Sequence, residues 1–218
     1  MVTFQHKKVT TALTSDKRRT FLPVYVKKET NRQQSVAMNS EKSTHLPNLL
    51  LVLAHPNIRH SRANKALLMA AKSLPNIVVH DLYHRYPHSY IDVPAEQAAL
   101  EKADIVILQH PFYWYSVPSL LKEWIDSTLT SGWAYGKNGV ALKGKCWAHA
   151  ISTGGEQDNY TDETRMGMEQ LLLPLEKTAA LCHTRWRQPF LLFGADKQTD
   201  AQLQAHATLY LQWLESLK

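Results

Sequence analysis

Residues 49–64 read LLLVLAHPNIRHSRAN. Leu49 to Leu53 are contiguous and apolar, the pattern of a short strand covered on both faces. The chain then breaks at Ala54-His55-Pro56-Asn57, and Ser61 and Asn64 lead into the helical run Lys65 to Ala71. The stretch predicts a strand, a tight loop and a helix start. In an α/β protein such a loop lies at the carboxyl end of the first strand. Backbone N–H groups at a helix start, aided by the helix dipole, hold phosphate well. The Ser61 hydroxyl can join them, and Arg62 can approach the same charge. Ser and Asn are also common caps, and a first-turn arginine is ordinary, so plain loop-and-cap chemistry accounts equally for these residues. Neither GxGxxG nor GxxxxGK[ST] occurs, so the glycine fingerprint of dinucleotide folds and the P-loop lack support.

Outward from this stretch the alternation repeats. Apolar runs predict strands at Ile77–His80, Ile105–Gln109, Lys145–Ser152 and Phe190–Phe193. Helical spacing predicts helices from Ser61 to Ser73, Pro94 to Lys102, Pro118 to Leu129, Arg165 to Ala180 and Thr199 to Leu217. Asp81–Asp92, DLYHRYPHSYID, is too irregular for a regular element, and Ser131–Gly144 is a long glycine-marked loop. Five strands alternating with helices specify an α/β fold: an open parallel five-stranded sheet with helices on both faces. It occupies residues 48–218, and no repeat or linker asks for a second domain.

Residues 1–47 read as a basic, flexible N-terminal extension. Positions 1–37 carry eight Lys/Arg and two acids, which accounts for the whole net charge of +6. The remainder has 17 basic and 17 acidic residues. The basicity therefore belongs to the leader and not to the folded body, which argues against a nucleic-acid partner. Met38 offers an alternative start of translation; a basic interaction arm is the functional alternative. No apolar run is long enough for a membrane span, and the start lacks a signal-peptide core. Two cysteines, Cys146 and Cys182, make neither a disulfide scaffold nor a metal cluster. A cytoplasmic location is expected.

Ligands of open parallel sheets gather at the carboxyl ends of the strands. Three loops should meet there: His55–Asn64, His110–Ser116 and Thr153–Tyr160. The second holds four consecutive aromatics, Phe112, Tyr113, Trp114 and Tyr115. Core filling explains any one of them; a flat heteroaromatic ligand gives all four a task. Gly154 and Gly155 permit close backbone approach. The eleven histidines form no ligand set for a metal, since neither HExxH nor CxxC accompanies them. Ser61 and Ser152 lack the GxSxG context of a nucleophile.

These pieces resemble the flavodoxin-like NAD(P)H:quinone oxidoreductases of the DT-diaphorase type. More narrowly, they resemble bacterial general-stress NAD(P)H oxidoreductases and the ancillary flavoproteins of glutathione-gated potassium efflux. The resemblance spans Leu49 to Leu217 and rests on AHPNIRHSRAN (54–64), VHDLYHRYPHSYIDVPAEQAAL (79–100), QHPFYWYSVPSLLKEWID (109–126), GWAYG (132–136), STGGEQDNY (152–160) and LLPLEKTAALC (172–182). It implies a bound FMN or FAD, NAD(P)H as hydride donor and a quinone or similar acceptor. It places His55, Ser61 and Asn64 at the flavin phosphate. Pro111, Phe112, Tyr113 and Trp114 would run beside the ring, and Thr153, Gly154 and Gly155 would lie at its pyrimidine side. Tyr160 matches an active-site tyrosine that hydrogen-bonds or assists proton transfer. Met166 stands where mammalian-type relatives have a histidine, and a thioether cannot relay a proton. Trp133 and Tyr135 match a loop of the substrate cavity, often supplied by the partner of a homodimer. The same resemblance implies a second role: a peripheral regulatory subunit that activates a membrane potassium–proton antiporter.

Overall fold

The computed structural model describes residues 46–160 and 166–218. Residues 1–45 of the basic extension and the expected helix start at Arg165 therefore fall outside the described residues. The apolar run that opens the sequence argument is β1 (Leu49–Leu53), and all five of its residues are buried. It is followed by α1 (Arg62–Ala71), β2 (Ile77–Asp81), α2 (Leu82–Arg85), α3 (Val93–Lys102) and β3 (Ile105–Pro111). Next come α4 (Ser119–Thr128), β4 (Cys146–Ser152), α5 (Met168–Leu181), β5 (Arg185–Trp186), β6 (Phe190–Leu192) and α6 (Asp200–Ser216).

The strands form one parallel sheet in the order β2-β1-β3-β4-β5, with β6 also on β4. The expected fifth strand, Phe190–Phe193, is β6, and a two-residue strand that was not expected, β5, precedes it on the same edge of β4. Arg185 and Trp186 pair with Cys146 and Trp147, whereas Phe190 to Leu192 pair with Ala150 to Ser152. Pro189 has no amide hydrogen for a ladder bond, and it lies in the gap between the two pieces. The chain leaves β1 toward β2, then crosses back over it to β3. The β1–β3 boundary is therefore the switch point where ligands of such sheets bind.

Alternate residues of the strands feed two cores, as the pleat requires. Leu50, Val52, Val106, Leu108 and Trp147 face Leu121, Trp124 and Ile125 of α4. Leu49, Leu51, Leu53, Ile105 and Ile107 face Leu67 of α1 and Tyr210 and Leu214 of α6. A third cluster, Phe112, Ile151, Met168 and Leu172, closes the end nearest the long loops.

The segment expected to be irregular, Asp81–Asp92, contains one regular element after all. Asp81 caps α2, its Oδ1 accepting the His84 N–H at 3.3 Å. No periodicity announces this single turn, because tertiary contacts hold it. The fully buried Glu96 of α3 accepts hydrogen bonds from the Tyr86 hydroxyl (2.6 Å), the Trp124 indole (3.0 Å) and the His80 ring, and pairs with Arg85 Nε (3.2 Å).

Candidate functional site

Main-chain and side-chain hydrogen bonds draw three loops together at the carboxyl ends of β1, β3 and β4. The Ala54 N–H donates to the Gln109 carbonyl at 2.9 Å, joining the first loop to the second. The Phe112 N–H donates to the Ser152 carbonyl at 2.8 Å, joining the second to the third. Asn64 Nδ2 donates to Ser152 Oγ at 2.7 Å, closing the circuit.

In the first loop Ser61 caps α1. Its Oγ accepts from the Asn64 backbone N–H and from Asn64 Nδ2, both at 3.3 Å. Both bonds use lone pairs, so the hydroxyl proton remains available to donate outward. The Arg62 and Ala63 N–H groups begin the helix and have no acceptor among the described residues. His55 Nδ1 accepts the Asn57 N–H at 3.1 Å, which places the ring proton on Nε2. Burial lowers the His55 pKa, against the opposing pull of Asp81 and Asp196, so the ring is a neutral donor at neutral pH. This set of neutral donors around a helix N-terminus fits a phosphate. Arg62 does not join it: its guanidinium binds Asp200 at 2.6 Å and the Gln198 carbonyl at 2.9 Å. Asn64 lies beneath the loop and is only 1% exposed.

The aromatic run divides by burial. Pro111 and Phe112 are buried, while Tyr113, Trp114 and Tyr115 are exposed. Tyr113 and Ser116 exchange both backbone hydrogen bonds, at 3.1 and 2.9 Å, across a two-residue turn. Its central residues, Trp114 and Tyr115, have φ of 51° and 58°. That is the type I′ geometry usually filled by Asn and Gly. Two bulky side chains there store strain, about 1–2 kcal/mol each. The turn thereby displays Trp114, which is 94% exposed. A flat ligand gives this arrangement a use that core packing does not.

The third loop turns tightly on Thr153, whose hydroxyl donates to the Gly155 carbonyl at 2.7 Å. A Cβ on Gly154 would meet open space. One on Gly155 would meet Asn159 Nδ2 at 2.9 Å and Tyr160 Oη at 3.0 Å, so glycine is needed for Tyr160 to close over the loop. The Tyr160 ring packs against Phe112 and Phe193, with centroids 6.2 and 5.6 Å away. Tyr115 also meets Phe112 edge-on at 6.4 Å. Beside them opens a cleft of ≈490 Å³ lined by Tyr115, Asn159, Tyr160, Met166 and Leu171. Phosphate donors, an exposed aromatic turn and an open glycine loop thus meet at the carboxyl ends of β1, β3 and β4, an arrangement that fits a flavin.

Trp133 and Tyr135 lie elsewhere. The Trp133 indole donates to Glu101 Oε1 at 2.8 Å, and Lys145 Nζ reaches the Glu101 and Ala103 carbonyls. Glu101 and Ala103 immediately precede β3, and α4 runs from the carboxyl end of β3 back toward the amino end of β4. Within one chain, therefore, these two aromatics stand at the opposite end of the sheet from Ser61, Phe112 and Thr153.

Two supporting residues are absent from the sequence-based expectation. Ser152 accepts from Asn64, and Gln109 is fully buried with Nε2 donating to the Asn64 carbonyl at 2.9 Å. Tyr210 of α6 donates to Gln109 Oε1 at 3.3 Å. A polar residue close to the carboxyl end of a mostly apolar buried strand, as Gln109 and Ser152 both are, is the signal that marks them.

Comparison with known proteins agrees with this geometry. Residues 47–214 match the family described as having a flavodoxin-like fold. The chain is 43% identical over 172 residues to the glutathione-regulated potassium-efflux system ancillary protein KefG of Yersinia pseudotuberculosis, covering 78% of this chain and 94% of that protein. Among solved structures it resembles general stress protein 14 of Treponema denticola in complex with FMN, with 38% identity and a TM-score of 0.74 over 79% of this chain and 100% of that one. An NADPH-quinone reductase of P. pentosaceus is 26% identical, with a TM-score of 0.69 over 76% and 96% of the two chains. With the sheet order, the switch-point loops and these matches in agreement, the chain belongs to the flavodoxin-like fold family.

Proposed function

We propose that the protein is a flavin-dependent NAD(P)H:quinone oxidoreductase that binds FMN. The observation that carries the reading is the convergence of phosphate donors, an exposed aromatic turn and an open glycine loop at the switch point. The relatives named for an FMN complex and for NADPH-quinone reductase activity support it. His55 Nε2, the Ser61 hydroxyl and the Arg62 and Ala63 N–H groups would hold the phosphate. Asn64 fixes Ser61 from below and takes no contact of its own. Pro111, Phe112, Tyr113 and Trp114 line one edge of the ring, and Thr153, Gly154 and Gly155 approach the pyrimidine edge with backbone. Bound there, the flavin supplies a two-electron carrier between donor and acceptor. The protein positions the reactants, excludes water with its aromatic wall and offers the Tyr160 hydroxyl to the acceptor. A phenolic hydroxyl can donate a hydrogen bond there.

A homodimer completes the site in this reading. Trp133 and Tyr135 stand far from the cleft of their own chain, and a second copy would bring them to its open side. The protein works in the cytoplasm.

A second reading rests on the 43% identity to KefG over nearly that protein's whole length. A peripheral subunit that regulates a potassium-efflux antiporter fits it, and flavin chemistry and regulation can coexist. Purification, a visible spectrum and flavin chromatography test the first reading. Stopped-flow mixing with NADH and NADPH, then with a quinone, follows. A bound flavin that neither nucleotide reduces rules the enzyme out. Co-purification with an antiporter tests the second.

A further inference from the structure

Two buried histidines stand behind the aromatic run. His110 lies in β3 directly before Pro111, and His149 lies in β4, in register with Leu108. Both are 1% exposed or less. His110 Nδ1 is 3.0 Å from the Pro111 carbonyl oxygen, and His110 Nε2 is 3.0 Å from His149 Nδ1. A carbonyl can only accept, so the neutral His110 ring carries its hydrogen on Nδ1 and leaves Nε2 bare. His149 must then donate from its own Nδ1. Burial keeps both rings neutral at pH 7. The two bonds therefore run in one direction, from His149 through His110 to Pro111. The His149 ring meets His110 edge-on at 5.3 Å and packs on Trp186 at 5.1 Å, so its plane is set from two sides.

Both bonds converge on one peptide group. The amide that joins Pro111 to Phe112 accepts from His110 at its oxygen and donates from its nitrogen to the Ser152 carbonyl at 2.8 Å. Among the described residues no loop or turn amide donates to the Pro111 oxygen. Without the His110 N–H this carbonyl, at the end of a fully buried strand, would lose its partner, which is costly. The peptide plane is thus clamped at both its oxygen and its nitrogen. Phe112 and the Tyr113–Ser116 turn leave the sheet from that plane, so its orientation sets where they stand. Apolar side chains would fill the same space without burying two polar rings; the hydrogen bond to Pro111 is what the imidazoles add.

Resting on the flavin reading above, we propose that His110 is a positioning residue of the flavin site. It fixes the Pro111–Phe112 peptide, and with it the aromatic turn beside the ring, while His149 holds His110 in the donating tautomer. Neither histidine touches the flavin or moves a proton in this role. Their effect is on the place and angle of the wall against which the ring lies.

Amide side chains separate the donor from the ring. An asparagine Nδ2 lies close to the place of a histidine Nδ1, whereas a glutamine amide reaches the place of Nε2. His110→Asn therefore keeps a donor for the Pro111 carbonyl, and His110→Gln and His110→Phe remove it. Each full-chain variant, as apoprotein, is titrated with FMN by fluorescence. The saturated protein is then read by visible circular dichroism, which reports the surroundings of the ring. His110→Gln and His110→Phe should raise the FMN Kd about ten-fold or more and alter the visible bands. His110→Asn should stay within about three-fold of wild type and keep them. Urea denaturation reads stability separately, and a stability loss shared by all three variants would not produce this order. His149 gives a second pair, which decides by the same criterion where a substitution at 110 prevents folding. His149→Asn keeps a donor toward His110 and should bind as wild type does, whereas His149→Leu should follow His110→Phe. Equal affinity and unchanged bands in all variants overturn the positioning role and leave the flavin reading intact. A wild-type chain that binds no FMN overturns the flavin reading, and the positioning role falls with it.

Discussion

The His80 ring lies 2.9 and 3.0 Å from the two oxygens of the buried Glu96 carboxylate. With Arg85, Tyr86 and Trp124 on the same carboxylate, this contact ties β2, α2, α3 and α4 to one point. Burial alone would raise the Glu96 pKa, but the hydrogen bonds from His80, Tyr86 and Trp124 outweigh it and hold the group at about 2, against 4.5 for a free glutamate. A depressed carboxylate adds stability above its unfolded pKa and loses it as the pH falls. The expected window is therefore pH 4.5 down to 2, for a total of roughly 3 kcal/mol. Glu96→Gln should lose a comparable amount at pH 7, read as a lower urea midpoint with an unchanged m-value. A midpoint equal to wild type would show that the hub is not a source of stability.

Acid should weaken the fold earlier than Glu96 alone predicts, because of a second buried pair. His110 Nε2 and His149 Nδ1 are 3.0 Å apart, and both rings are buried. Burial lowers the His110 pKa to about 4, against a smaller upward pull from its hydrogen bond to the Pro111 carbonyl. Burial, reinforced by His110, pushes His149 down as well. The folded state keeps these rings neutral while the unfolded chain protonates them near 6.5. The unfolded state thus binds more protons below 6.5, and stability falls as the pH drops through that window. For His110 the loss is roughly 2 kcal/mol between pH 7 and 5. His110→Gln should flatten the stability–pH curve over that range in chemical denaturation, whatever its effect at pH 7. An equally steep curve would assign the acid sensitivity to other groups.

Ser61→Ala separates capping from ligand binding. Losing the cap should cost the apoprotein about 1 kcal/mol. Losing a donor to a charged phosphate should weaken flavin binding further, raising Kd about 10- to 100-fold. Denaturation of the apoprotein and fluorescence titration with FMN read the two effects independently. A normal Kd with reduced stability would leave Ser61 as a cap only.

Tyr160→Phe keeps the ring that packs on Phe112 and Phe193 and removes only the hydroxyl. Flavin content should be retained. Turnover with quinone should slow about 5- to 50-fold, the worth of one hydrogen bond formed at the acceptor. An unchanged rate across several acceptors would remove Tyr160 from the reaction.

How much of this was legible in the sequence depended on whether local pattern or tertiary contact decides each element. Leu49–Leu53 is a strand in both accounts, because a contiguous apolar run bounded by a polar loop has few other solutions. Ser61 was legible as a helix start from its residue type and place. The single turn α2 was not, since Glu96 of another helix holds Arg85 and Tyr86 in place. Nor was β5, whose two residues, Arg185 and Trp186, carry no alternation. At the site, the aromatic run announced itself, but its division into buried Phe112 and exposed Trp114 follows from a left-handed turn that composition does not reveal. The distance of Trp133 from the cleft follows from the direction of α4, a property of topology and not of the GWAYG motif.

That left-handed turn yields an opposing pair of effects. Trp114 and Tyr115 occupy positive φ that bulky residues adopt at a cost, in a turn that Asn-Gly would fill without strain. Replacing them together, Trp114→Asn with Tyr115→Gly, removes that strain and also the Phe112–Tyr115 edge contact, worth about 0.5–1.5 kcal/mol. Relief of two strained residues should win, leaving the apoprotein more stable by about 1 kcal/mol. Flavin affinity should move the other way, because the exposed aromatic surface that would flank the ring is gone. Thermal denaturation of the apoprotein and FMN titration on the same sample check both signs. If stability and affinity fall together, the two aromatics hold the fold and the strain has no functional origin. A rise in stability alongside weaker FMN binding would identify the turn as strained for the ligand's sake.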